Sequence, residues 1–149
     1  MIALAVAVTV AGLAAYLLLP PWQTGDVPLP ARDAGPEQVV SVYLDALNEH
    51  DCGTAEALMV EGAEGSARAW CESVATLEDV EIRGHFIEPP ENSGHSAPDE
   101  VANVPVSFDP EWRAFHDDGS LEEGAITWTY LLVRSSPDAP WRIFDQGVG

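Results

Sequence analysis

Apolar positions along this chain follow three successive patterns: an unbroken run, a helical period, and then an alternation. From Met1 to Leu19 no side chain is charged. Val39, Val40, Tyr43, Leu44 and Leu47 then recur at the three-and-four spacing that collects residues on one face of a helix. Gly35-Pro36-Glu37 opens that helix, with proline where its missing N–H costs nothing and a carboxylate near the positive end of the dipole. Asn48-Glu49-His50-Asp51 closes it. Asp51 or Thr54 can cap a second, short helix through Ala55–Met59, and Gly62 to Gly65 breaks the chain before a third over Ser66–Cys71.

From Leu77 the period changes to two. Val80, Ile82 and Phe86 alternate with Asp79, Glu81, Arg83 and His85, which predicts a strand with one wet face and a bulge at Gly84. Pro89 to Glu100 is a polar loop, and Val104, Val106 and Phe108 form a second alternating set. Asp117-Asp118-Gly119 is a hairpin turn signal. It leads into the stretch richest in β-branched and aromatic residues, Gly124 to Arg134, with Trp141 to Asp145 as its partner. Between these two, Ser135 to Pro140 supplies turn formers and prolines that cannot extend a ladder, so the pair is antiparallel. Helices followed by a meander of about four strands is an α+β pattern, with the helices on one face of a curved antiparallel sheet. No internal repeat interrupts it, and the 149 residues support one globular domain, 36–149.

Residues 1–22 read as a transmembrane anchor. The apolar run is about the length needed to cross ~30 Å of hydrocarbon, and Trp22 follows it where an interfacial aromatic sits. A cleaved signal peptide is the rival, opposed by the length of the run and by the lack of an Ala-x-Ala site before the prolines. Residues 23–35, rich in proline and glycine, form a semi-extended stalk in this reading.

The 25 acidic residues stand against six arginines and no lysine, for a net charge of -19. Such a field repels phosphate backbones, so no nucleic acid is expected as a partner. Solubility is the plain reading of the acidity, and a surface for divalent cations or a basic partner is the other. Cys52 and Cys71 are the only cysteines, an even number in a chain with an export-type leader. A disulfide between them stabilises by about 3 kcal/mol on the chain-entropy model and places the domain outside the cytoplasm. The other possibility is two buried free thiols.

Several segments carry a family likeness: Pro36-Glu-Gln-Val-Val-Ser-Val-Tyr-Leu-Asp-Ala-Leu-Asn-Glu-His-Asp-Cys52, the distant Trp70-Cys71, Trp128-x-Tyr-x-Leu-Val-Arg134, and Trp141-Arg-Ile-Phe-Asp145-x-Gly147. Together they resemble the nuclear-transport-factor-2-like superfamily over about residues 36–149. The nearer likeness is to its membrane-anchored extracytoplasmic members in high-GC Gram-positive bacteria, of unknown function. The resemblance implies a cone-shaped α+β fold and is silent on activity, because that scaffold hosts enzymes, binding modules and assembly domains. Its enzymes, such as ketosteroid isomerase, scytalone dehydratase and the polyketide cyclases, hold an acid-base group in the pocket between sheet and helices, where burial tunes its pKa.

Tyr43, His85, Trp128, Tyr130 and Asp145 are the residues to weigh as pocket candidates, and none matches those enzymes' catalytic positions. Asp145 in the closing strand is expected to bond backbone or an arginine. His85 falls on a wet strand face, Tyr43 and Tyr130 read as core aromatics, and Trp128 shares a face with Tyr130 and Leu132. No metal is expected: the four histidines lack ligand spacing, and the acidic stretch Asp117 to Glu123 misses the oxygen ligands of a calcium loop. No cofactor motif is present. The sequence therefore favours a non-enzymatic extracytoplasmic domain at the cell membrane, possessing a protein partner, a second copy of itself or a small apolar ligand. The alternative is an isomerase, dehydratase or cyclase using a pocket carboxylate.

Overall fold

A computed structural model describes residues 21–114 and 124–148. Residues 1–20 of the membrane anchor expected over 1–22, and the Asp117–Gly119 turn, lie outside these residues. Among the described residues no helix is long and apolar enough to cross a membrane.

Among the described residues three helices, α1 (Pro36–Asn48), α2 (Cys52–Ala57) and α3 (Glu64–Ser73), precede five strands, β1 (Val74–Ile82), β2 (Phe86–Glu88), β3 (Glu100–Trp112), β4 (Ile126–Arg134) and β5 (Arg142–Val148). All pairings are antiparallel in the order β1-β3-β4-β5, with β2 also on β3. The fold is α+β, helices against one face of a curved sheet. The expected count of about four strands becomes five because the predicted strand from Leu77 to Phe86 is cut in two. Gly84 takes φ +85, a conformation that favours glycine, and separates β1 from β2.

α1 buries the face its sequence period predicts: Val39, Val40, Tyr43, Leu44 and Leu47 are each at most 2% exposed. Its end is closed by His50, which adopts a left-handed φ of 52 in the place glycine usually takes. His50 N–H then bonds Leu47 O at 3.1 Å and Asp51 N–H bonds Ala46 O at 2.8 Å, satisfying carbonyls the helix leaves open. Asp51 at once caps α2, accepting from Thr54 N–H at 3.1 Å. Asn48 ties α1 to the sheet: its Oδ1 accepts from Leu77 N–H at 2.7 Å and its Nδ2 donates to Leu77 O at 3.2 Å.

Spacing in β1 departs from simple alternation. Val74 and Leu77 are buried and Ile82 packs against the core, although they lie three and five residues apart. Register shifts between Val74 and Thr76 and between Glu78 and Glu81 each insert one residue, so each inverts which side chains face inward. The predicted inward set is corrected accordingly. Val80, 41% exposed, sits in the second bulge beside Asp79 with φ +50, and Phe86, 55% exposed, follows the break at Gly84. In β3, Val104, Val106 and Phe108 are fully buried as their alternation predicts.

The run expected as a stalk lies along the helices instead of standing free. Thr24 N–H bonds Glu49 O at 2.9 Å, Val27 N–H bonds Asp51 Oδ2 at 3.0 Å, and the Thr54 hydroxyl donates to Val27 O at 3.0 Å. Ala34 is buried and Val27 packs on the core. Composition hides this docking, since proline and glycine set the backbone's extended shape without saying what it touches.

Cys52 and Cys71 form a disulfide with Cα atoms 5.6 Å apart, joining the first turn of α2 to α3 across 19 positions of sequence. Replacing both by alanine is expected to lower stability by about 3 kcal/mol. Urea unfolding of the double variant checks this, and an unchanged midpoint would remove the disulfide from the list of stabilising forces.

Asp51 generates a second expectation. Burial alone would raise its carboxyl, yet the hydrogen bonds from Val27 and Thr54 hold it below the ordinary carboxylate value. A lowered folded value means that the carboxylate's contribution is complete above the unfolded pKa of about 3.9 and is lost as pH falls through the folded one. Acidification below about pH 4 should therefore release the strap formed by residues 22–34, seen as movement of the Val27 amide resonance and loss of strap protection. Asp51→Asn should abolish that titration. A Val27 amide that stays fixed from about pH 6 to about pH 2 would exclude the latch.

Candidate functional site

Five residues carry the candidate chemistry, and the fold divides them into two groups. Tyr43, Tyr130 and Trp128 meet inside, between α1 and the concave face of the sheet. His85 and Asp145 lie outside.

Tyr43 projects from the buried face of α1 onto Tyr130 of β4, with ring centroids 5.4 Å apart in an edge-to-face arrangement. Both side chains are fully buried, and neither hydroxyl has a hydrogen-bond partner. Burial pushes both phenols well above their usual range; for Tyr43 the nearby Gln146 side chain offsets part of the rise, and for Tyr130 the neighbouring Tyr43 adds to it. Gln146 approaches the Tyr43 hydroxyl without reaching hydrogen-bond geometry, and its Oε1 is itself buried without a partner. Both phenols thus remain protonated at physiological pH and have no use as bases.

Trp128, two residues before Tyr130 on the same face, is 9% exposed and its Nε1–H is unpaired. Its ring lies 5.2 Å from that of Trp70 on α3, which also contacts Trp112 at 5.4 Å and Phe108 at 6.2 Å. Three tryptophans and a phenylalanine thus close the end of the interior where α3 crosses β3 and β4. The remaining volume is occupied by Leu44, Leu47, Leu58, Leu132 and Ile143.

Asp145 stands opposite Leu131, exposed, on the far face of the sheet. Its Oδ1 accepts from the adjacent Gln146 N–H at 2.9 Å, so the expected backbone bond is there, and among the described residues no arginine pairs with it. A register shift places Ile143 opposite Leu132 but Asp145 opposite Leu131, leaving Phe144 as the extra residue. Gln146 is thereby set beside Tyr130, in the position regular alternation from Ile143 would have assigned to Asp145. The interior receives a neutral amide in place of a carboxylate.

His85 sits in the break between β1 and β2, exposed, with its Nδ1 2.6 Å from Glu37 Oε1 on the first turn of α1. The hydrogen bond from His85 is the main reason the Glu37 carboxyl lies below its ordinary value. Sequence reasoning missed this pair, because 48 positions separate its members. It also missed His95, whose ring meets Phe144 edge-on at 4.7 Å and whose Nδ1 is 3.3 Å from Asp99. Among the described residues, no three His, Cys, Asp or Glu side chains gather as a metal-ligand set.

A cavity of about 390 Å³ opens at another place, where the strap passes the beginning of β5. Strap residues Leu29, Pro30, Ala31, Arg32 and Ala34, with Val39, Leu58 and the Pro140-Trp141-Arg142 turn, line it. The Trp141 ring is held by Arg134, whose Cζ lies 4.7 Å from the ring centroid. No pattern in the sequence announces this site, since its walls come from four separated segments.

No curated protein and no solved structure matches the chain. One family of domains does, over residues 37–147, which is the helical layer together with the sheet through β5. The chain belongs to that family, a domain of unknown function designated DUF4829.

Proposed function

We propose that this chain is a membrane-anchored, extracytoplasmic domain of nuclear-transport-factor-2-like architecture that binds a partner at the cell envelope and performs no chemistry of its own. One observation carries the reading. The space between helices and sheet, where such folds place an acid-base group, is filled by the fully buried side chains of Tyr43, Leu47, Phe108, Tyr130 and Leu132. The ionisable candidates Asp145 and His85 project elsewhere, and recognition therefore falls to the surface. The disulfide supports an oxidising location, and the apolar run at residues 2–19 supports an anchor.

A protein partner has an apolar surface available. Phe86 and Ile87 are 55% and 54% exposed on β2, a three-residue strand that pairs with β3 alone. A photo-crosslinking residue at position 86 is expected to capture a protein at the surface of intact cells, while one at the exposed position 111 captures far less. Protease added outside the cell should remove the domain. Recovery of the chain from the cytosol with both thiols reduced would sink the anchor, the location and the envelope partner together.

The pocket-enzyme alternative draws on the unpartnered hydroxyls of Tyr43 and Tyr130. If these are core side chains and no more, Tyr130→Phe removes a desolvated hydroxyl with no bond to lose. Its unfolding free energy should then stay unchanged or rise by up to ~1 kcal/mol. A loss above ~2 kcal/mol in urea unfolding would show that the hydroxyl has an internal partner, and would favour an occupied interior.

A further inference from the structure

The arginines of this chain are few, and their pairing is uneven. Arg68, Arg83 and Arg134 each have a carboxylate, on Glu56 at 2.7 Å, Glu81 at 3.4 Å and Glu100 at 2.5 Å. With 25 acidic residues to six basic ones, a carboxylate partner is what any arginine should find. Arg32 and Arg142 do not find one: among the described residues neither makes an ion pair. Arg32 Nε donates to Asp138 O at 3.4 Å and Arg142 Nη1 to Trp141 O at 2.9 Å, so each guanidinium spends one contact on a backbone carbonyl and keeps most of its five N–H donors. Asp33 follows Arg32 in sequence and Asp138 offers it a backbone carbonyl, yet among the described residues neither carboxylate forms an ion pair with it.

These two arginines line the same cavity, the one beneath the strap. Its other walls are apolar: Leu29, Pro30, Ala31 and Pro140 are at least partly exposed, and Val39, Leu58 and Trp141 are buried beneath them. At about 390 Å³ it falls within the ~300–1,000 Å³ typical of small-molecule sites. Cationic donors at a mostly apolar recess specify a ligand with an anionic head and a compact hydrocarbon body.

We propose that this cavity binds a small amphiphilic anion, its carboxylate or phosphate head held by Arg32 and Arg142 and its aliphatic or aromatic body lying on Leu29, Pro30, Ala31 and Pro140. The strap is then one wall of a binding site as well as a tether. Selectivity follows from charge: the acidic surface as a whole turns anions away, and one is accepted where two guanidiniums have no carboxylate partner among the described residues. The site is a property of the folded domain and holds wherever the domain resides, so it stands or falls separately from the envelope reading.

The test uses the full chain in detergent at low ionic strength, with octanoate, octyl phosphate, octanol and octylammonium as probes. Heats of binding and the Trp141 indole resonance are the readouts. One or both anions should bind saturably below about 1 mM and shift the Trp141 resonance, and comparing the two identifies the preferred head. Octanol and octylammonium should bind at least about tenfold more weakly, and Arg32→Gln or Arg142→Gln should weaken the anion about tenfold or more. Arg142→Lys should restore part of the loss, and Arg83→Gln should change nothing. If Arg142→Gln does not fold, the exposed Arg32→Gln decides alone. Equal affinity for octanol and octanoate, full affinity in Arg32→Gln, or no saturable shift with either anion up to about 10 mM would overturn the proposal.

Discussion

One carboxylate joins the parts of this molecule that the chain order keeps apart. Asp51, 8% exposed, takes a backbone N–H from the strap on one oxygen and the N–H of α2's first turn on the other. Its own N–H closes α1 through Ala46 O. Helix end, helix start and strap therefore meet on a single residue, and the next residue along, Cys52, carries the disulfide to α3. The arrangement is economical in physical terms. A helix terminus leaves donors and carbonyls that must find partners, and two termini placed back to back can share the residue that satisfies both. Burying a carboxylate to do this is tolerable only because charge-assisted bonds from backbone donors replace the water it loses.

The same junction explains why a short helix of six residues holds its place. α2 is too short to persist by its own hydrogen bonds, because nucleation is costly and few bonds follow. Capping by Asp51, the covalent link to α3 and the burial of Ala55 against α1 hold it from three sides. Its end then passes Leu58, Met59 and Val60 along the start of β5. Ile143 N–H bonds Leu58 O at 2.9 Å, and Val60 N–H bonds Ile143 O at 2.8 Å. Order at the strap, at α2 and at the edge of β5 is thus one connected matter, and the cavity with the two arginines lies among these three pieces.

How far the sequence announced all this depends on which period governs. The helical stretch was legible nearly residue by residue, since Val39, Val40, Tyr43, Leu44 and Leu47 keep one face with no interruption. Strands were legible where alternation runs clean, as at Val104, Val106 and Phe108 or Trp128, Tyr130 and Leu132. They were misread where a bulge intervenes. An inserted residue changes nothing in composition and inverts everything in orientation, so Val80 falls outward and Ile82 inward. The strap was illegible for a different reason. Its attachments run from its backbone and from Thr24 to side chains and carbonyls 24 to 27 positions away, and no local pattern encodes such pairs.

The bulge at Phe144 bears on function in a way the others do not. Regular pleating from Ile143 would carry Asp145 to the concave face beside Tyr130, where burial against aromatic rings raises a carboxyl toward neutrality and makes it a competent acid or base. The extra residue places Gln146 there and turns Asp145 to the solvent. A neutral amide can hold a hydroxyl or a water, but it has no proton to exchange at physiological pH. The local geometry of one strand thus keeps a carboxylate out of the interior, and the cavity proposed for an anion lies outside the core, at the seam between the strap and β5. Where the pleat is broken thus decides whether the side chain set beside Tyr130 is a carboxylate or an amide.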